Sequence, residues 1–150
     1  MLDNFSQKLE GNLTSKILAQ KKSIFEIITL ASIIEKEVRN PEDMKMVADI
    51  FYKRLNKGMA LQSDATVNYI TGKGLLQPTL ADTQIDNRYN TYKYPGLSLG
   101  PISNPGLSAI IAAIEPNSNP YYYFLTTKDG AVIYSKTYEE HLRNKAKYLK

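Results

Sequence analysis

Between Ser23 and Val38 the chain reads Ser-Ile-Phe-Glu-Ile-Ile-Thr-Leu-Ala-Ser-Ile-Ile-Glu-Lys-Glu-Val, an apolar run that closes on two carboxylates. Ile24, Ile27, Ile28, Ala31 and Ile34 recur at helical spacing, and Phe25, Leu30 and Ile33 fill the flanks. The pattern predicts a helix covered on most sides. Ser23 and Glu26 have the spacing of a capping box, which sets its start. Asn40-Pro41-Glu42-Asp43 then combines a cap residue, a first-turn proline and two first-turn acids, and so opens a second helix. Its stripe is Met44, Val47, Ala48, Phe51 and Leu55; Lys53 and Arg54 complement the last turns, and Gly58 supplies the stop. The two helices form a hairpin joined at Arg39-Asn40.

Beyond Gly58 the pattern loosens. In Leu61-Gln62-Ser63-Asp64-Ala65-Thr66-Val67-Asn68-Tyr69, Ser63 or Asp64 caps a brief helix that ends at Gly72. Gly72 to Pro78 reads as a loop, and Thr79 with Asp82 starts a short helical piece. From Ile85 to Gly106 no period emerges. The stretch carries Tyr89-Asn90-Thr91-Tyr92 and the turn pairs Pro95-Gly96, Gly100-Pro101 and Pro105-Gly106, the marks of a long, ordered Pro/Gly-rich binding loop. Asn104-Pro105 is expected to cap a buried helix carrying Leu107, Ile110, Ile111 and Ile114. Tyr121 to Thr126 has strand propensity, Asp129-Gly130 signals a type I′ turn, and Ala131 to Tyr134 returns antiparallel. Thr137 and Glu140 open a basic terminal helix. Residues 1–22 are polar, with Leu2, Phe5, Leu9, Leu13, Ile17 and Leu18 at weak amphipathic spacing, and read as a connector before a domain spanning 23–150. The class is α+β, mostly helical, with one small antiparallel hairpin near 121–134.

With 150 residues and 43% hydrophobic content, the chain can bury one real core. No apolar run reaches membrane-spanning length, and no signal-peptide pattern opens it. The absence of cysteine excludes disulfides, thiol catalysis and thiolate metal sites, and a lone histidine, His141, excludes a histidine-rich metal centre. No cofactor or metal is expected. The net charge of +4 is local, since Arg143, Lys145, Lys147 and Lys150 carry as many positive charges on one solvated terminal helix. That is not a nucleic-acid groove. Eleven tyrosines without a tryptophan suit interfaces and sugar surfaces, each ring offering an apolar face and a polar tip.

The chemistry gathers at Glu35 and Glu37. Two residues apart, they point roughly 200 degrees away from each other around a helix and cannot share a face. Most such glutamates are solvated residues at a fraying helix end. Here, however, an apolar helix carries the negative charge toward the core against the macrodipole, at a cost in stability with no structural return visible in the sequence. The same conditions raise a carboxyl pKa, which a general acid near neutral pH needs.

Taken together, Leu30-Ala31-Ser32-Ile33-Ile34-Glu35-Lys36-Glu37, Leu61-Gln62-Ser63-Asp64-Ala65-Thr66-Val67, Tyr89-Asn90-Thr91-Tyr92, Gly96-Leu97 with Gly100-Pro101-Ile102, Asn104-Pro105-Gly106 and Tyr123-Phe124 resemble the MltG/YceG-like endolytic murein transglycosylases in order and spacing. The resemblance runs from about Ser23 to Tyr148. It implies cleavage of the MurNAc to GlcNAc β-1,4 bond within peptidoglycan strands, leaving 1,6-anhydro-MurNAc ends and limiting nascent strand length. It further implies a protein anchored by a single membrane span outside this chain, with its catalytic region on the extracytoplasmic face, and the cell-wall synthesis machinery as a further partner. By the same resemblance the catalytic glutamate lies in Glu-Lys-Glu and is assigned to Glu37, with Glu35 the alternative. Val38 follows it where many members carry a hydroxyl residue, and Ser63 and Ala65 stand where threonine and proline are common.

Gln62, Ser63, Asp64, Thr66, Tyr69, Asn90, Tyr92, Asn104 and Tyr123 are the expected substrate-binding residues, each of which could instead be capping a helix or holding the loop. One glutamate suffices for a lytic transglycosylase, because the substrate's own C6 hydroxyl attacks C1. Most glycosidases need two carboxylates. The competing class is a non-catalytic glycan-binding module, in which Glu37 is only an ion-pair partner.

Overall fold

The structure, a computed structural model, describes residues 23–75 and 77–149. The expected connector, 1–22, lies outside the described residues. Helix α1, Ile24–Glu37, starts as expected: Ser23 Oγ accepts from the Glu26 amide at 3.1 Å, and Glu26 reaches back to the cap. From Ile27 to Ile34 it is buried nearly all round, and it forms the centre of the domain. Helix α2, Pro41–Asn56, opens on Asn40, whose Oδ1 accepts from the Glu42 amide at 2.8 Å. It closes in a Schellman motif, Met59 N–H bonding to Arg54 O at 2.8 Å and Gly58 N–H to Leu55 O at 3.2 Å, with Gly58 left-handed at φ +70.

Helix α3 is Asp64–Thr71, and a 3₁₀ turn spans Asp82–Gln84. The latter starts as expected, with the Asp82 amide donating to Thr79 Oγ1 at 3.1 Å. Helix α4, Leu107–Ile114, packs on both α1 and α2. Ala109, Ala112 and Ala113, all fully buried, allow that close approach. Leu107 alone of its expected apolar residues is exposed. Ile27, Leu30, Ile33, Ile34, Val47, Phe51, Ile110 and Ile114 are fully buried or nearly so, and each stabilises the fold by about 1.5–3 kcal/mol relative to exposure.

The sheet is the expected antiparallel hairpin, β1 Tyr123–Thr126 and β2 Val132–Ser135, in the register Phe124↔Tyr134 and Thr126↔Val132. Its aromatic content seats it on the core, the Phe124 ring meeting Phe51 edge-on at 5.7 Å. The turn differs from expectation. A type I′ turn needs two left-handed residues, and only Gly130, at φ +91, is left-handed there. The loop is instead closed by Gly130 N–H to Thr127 O and Thr127 N–H to Ala131 O, because Thr127 Oγ1 also accepts from the Ala131 amide at 3.1 Å and holds a longer connection. Helix α5, Tyr138–Tyr148, starts at Thr137, whose hydroxyl accepts from the Glu140 amide at 3.2 Å.

Candidate active site

The last turn of α1, the segment 61–65, Gly74, Leu75, Gln77, Pro78 and Leu80, strand β1 and helix α5 enclose a cleft of about 1030 Å³. Glu35, Glu37, Gln62, Asp64, Tyr92 and Tyr123 line it, so six of the expected residues come together. Ser63, Thr66, Tyr69, Asn90 and Asn104 do not line it.

Glu37 is half-buried, and its Oε1 accepts from the Ser63 hydroxyl and from the Ala65 amide at 3.2 Å. Burial, aided by the charge of Asp64, pushes its carboxyl up to about 7 from an ordinary 4.5, against the two hydrogen bonds that pull it down. Such a group is half protonated at neutral pH and can both give a proton and take one back. Beside it, Asp64 accepts from the Tyr92 hydroxyl. Burial raises the Asp64 carboxyl, while that hydroxyl and the Lys145 ammonium oppose the rise. Tyr92 is itself raised, by burial first and then by Asp64.

Two expected roles change here. Ser63 stands at the N-cap position of α3, but its side chain makes no capping bond, and Asp64 is the first helical residue rather than a cap. The Ser63 hydroxyl is spent on Glu37, and the Asp64 carboxylate on Tyr92. The amide of Ala65 in the first turn is answered by Glu37 from another helix. Glu35 behaves in parallel: its Oε1 accepts from the Gly106 amide at 2.6 Å, at the N-terminus of α4. Asn104, expected to cap α4, is exposed, and the cap position falls to Gly106. A Cβ on Gly106 would lie 3.0 Å from Glu35 Oε1, so any larger residue would make the carboxylate shift and loosen this bond. The two glutamates therefore do have a structural return: they sit at the positive ends of two short helices, which favours their charge.

The remaining expected residues build the wall from behind. Asn90 is fully buried; its amide donates to Thr83 O and Ile85 O, and its Oδ1 accepts from the Tyr92 amide at 2.9 Å. It thus aims Tyr92 and has no face on the cleft. Thr66 is also fully buried, its Oγ1 donating to Ser63 O at 2.8 Å and lying 2.9 Å from Thr91 Oγ1. Tyr69 is exposed and pairs with the Tyr89 ring at 5.1 Å. Of the long loop 85–106, only Tyr92 reaches the cleft.

Several cleft residues escaped sequence reasoning. Arg54, read as a charge complementing the end of α2, is 6% exposed; its guanidinium donates to Ala60 O and Tyr122 O, each at 3.0 Å, and lies 5.0 Å from the Tyr123 ring. Three residues after Phe51 it stands on the apolar stripe, and a cation there was the available signal. Leu75 and Pro78 belong to a stretch that read as a plain loop, and Leu80 to the short helical piece that follows it. Gln62 is the only non-glycine residue among those described with positive φ, at +53. Backbone strain of that kind gathers at functional sites. No group of three or more His, Asp or Glu among the described residues is arranged to hold a metal ion.

Residues 1–147 match the YceG-like family. An endolytic murein transglycosylase of Bacillus subtilis (strain 168) is 42% identical over 135 residues, covering 90% of this chain and 38% of that protein. One of Streptococcus pneumoniae serotype 2 (strain D39 / NCTC 7466) is 35% identical over 158 residues, covering 99% of this chain and 29% of that protein. The crystal structure of a YceG-like protein from Listeria monocytogenes has the same fold, with a TM-score of 0.81 and 46% identity over 87% of this chain and 43% of that one. The chain spans less than half the length of each. With nearly every residue matched, and the same fold at 46% identity, the chain belongs to the YceG-like family.

Proposed function

We propose that residues 23–150 are the catalytic domain, and 1–22 its connector, of an endolytic peptidoglycan lytic transglycosylase. It cleaves the MurNAc to GlcNAc β-1,4 bond within glycan strands and leaves 1,6-anhydro-MurNAc ends, limiting nascent strand length. The observation that carries the reading is the Glu37 carboxyl, open to a large polar cleft and held at about 7. Protonated, Glu37 delivers its proton to the leaving glycosidic oxygen. Ionised, it accepts the C6 hydroxyl proton as that oxygen closes on C1. The Ser63 hydroxyl and Ala65 amide favour the ionised stage, and burial the protonated one.

Asp64, whose charge the Tyr92 hydroxyl supports, stabilises the oxocarbenium-like positive charge that develops at C1. Gln62, Tyr92 and Tyr123 orient the sugar substituents. Peptidoglycan strands are the substrate, as the names of the relatives indicate for those proteins. The full protein works on the extracytoplasmic face, anchored by a span outside this chain, alongside the wall-synthesis machinery.

Asp64 also favours a second reading, a hydrolase with two carboxylates, since its charge is close enough to push the Glu37 carboxyl's pKa upward. Incubation with purified peptidoglycan, followed by mass spectrometry, separates the two. Anhydro ends on nearly all fragments, lost in Glu37→Gln by about 10²- to 10⁴-fold in rate, are expected. Reducing ends, lost in Asp64→Asn, would establish the hydrolase, and binding without any cleavage a glycan-binding module.

A further inference from the structure

Helix α5 buries none of its residues, yet it is not a free solvated face. Asn144 Nδ2 donates to Ser135 Oγ at 2.8 Å and fastens it to β2. Tyr138, His141 and Lys145, three and four residues apart on one stripe, then line the cleft. The Tyr123 ring stacks on His141 at 5.2 Å and 23°, and meets Tyr138 at 5.8 Å and 51°. With Arg54 5.0 Å from the same ring, Tyr123 is surrounded by its own neighbours. Tyr138 is not: 56% of it remains exposed.

His141 is built to one protonation state. Its Nδ1 is buried with no hydrogen-bond partner among the described residues, so a proton there would be an unsatisfied buried donor. On that ground the hydrogen is assigned to Nε2, since an unpaired buried acceptor is less costly there than an unpaired buried donor. Burial, with the Lys145 and Arg54 charges nearby, pushes the imidazole down to about 4, so the ring is neutral throughout the pH range in which Glu37 titrates. A neutral N–H donor beside an exposed aromatic face is the combination that recognises an uncharged pyranose, the ring taking the C–H face and the donor an oxygen.

We propose that Tyr138 and His141 form a second sugar subsite of the cleft, Tyr138 as the stacking platform and His141 Nε2–H as donor to a hydroxyl or N-acetyl oxygen of the same sugar. The proposal rests on the cleft being a glycan site. It differs from a packing role for His141, because a phenyl ring preserves the stack on Tyr123 and removes only the donor.

The test uses the full chain carrying Glu37→Gln, so that strands stay intact, and titrates it calorimetrically with uncross-linked glycan strands and with single disaccharide units. His141→Phe and Tyr138→Ala are each expected to weaken long-strand binding about tenfold, equivalent to about 1.4 kcal/mol. Melting temperature and disaccharide binding should be unchanged. Unchanged long-strand affinity in both variants, or affinity lost only in step with melting temperature, overturns the subsite. If the Glu37→Gln chain binds no strand, the glycan reading fails and the subsite with it. Strands that are bound and weakened as expected, but never cut by the chain retaining Glu37, would leave the subsite standing and remove the catalytic reading.

Discussion

The Ser63 hydroxyl offers the most direct handle on the proposed acid, because it donates to Glu37 and makes no capping bond of its own. In Ser63→Ala that donor is lost, while the Ser63 amide keeps its bond to Thr91 Oγ1 at 2.9 Å and the backbone stays in place. A hydrogen bond to a charged group contributes about 1.5–3 kcal/mol. It favours only the ionised carboxylate, and one pKa unit corresponds to about 1.36 kcal/mol. Removing it therefore raises the Glu37 pKa by roughly 1–2 units above its value of about 7. Since the first step needs the protonated acid, the alkaline limb of kcat/KM should move up by that amount. The variant becomes relatively more active at pH 8 to 9. Initial rates of fragment release from uncross-linked strands, measured from roughly pH 5 to 10, read the limb directly. Ser63→Thr, which restores a hydroxyl, should return it to about its starting position. A limb that stays put in Ser63→Ala, or moves to lower pH, would refute the assignment of Glu37 as the titrating acid.

Further outcomes follow from the same geometry. A carboxyl whose folded pKa lies above its unfolded value contributes stability that is present below the unfolded pKa and lost as pH rises through the folded one. The gap between 4.5 and about 7 is worth about 3 kcal/mol at most, so Glu37→Gln should melt higher than the parent at pH 8, with the difference gone below pH 4. Glu35→Gln should retain most activity and stability, since an amide oxygen can still accept from Gly106, whereas Glu35→Ala leaves that amide unanswered and should cost about 1–2 kcal/mol in denaturant unfolding. Gln62→Gly relieves a left-handed residue and should raise the melting temperature slightly while raising KM; unchanged KM would remove Gln62 from the site.

What the sequence disclosed was what neighbours along the chain decide. The caps at Ser23, Asn40, Thr79 and Thr137, the glycine stop at Gly58 and the hairpin are all local, and all are found. Hydrogen bonds between distant segments were hidden. Ser63 looks like a cap by position, and only the arrival of Glu37 from 26 residues away redirects its hydroxyl. Asn90 looks like a binding residue on a polar loop, but the loop folds back and consumes its amide. Asp129-Gly130 carries the turn signature, yet the Thr127 hydroxyl selects a wider loop. Arg54 and His141 were visible as residue types without a destination, because Tyr122 and Tyr123, which enclose them, lie at the start of β1 and far along the chain from Arg54.

The pairing of α1's terminal carboxylates with the starts of α3 and α4 has a consequence for how the domain works. Eight-residue helices are too short to persist alone. Glu35 holds one of them permanently, whereas the anchor of the other is the group proposed to lose and regain a proton in every turnover. As Glu37 gives up its proton, its bonds to Ser63 and Ala65 become charge-assisted and tighten; as it recovers the proton, they slacken. If Glu37 is the acid and base proposed above, the segment that carries Gln62 and Asp64 is gripped hardest while the positive charge on the sugar is greatest, and released when the product must leave.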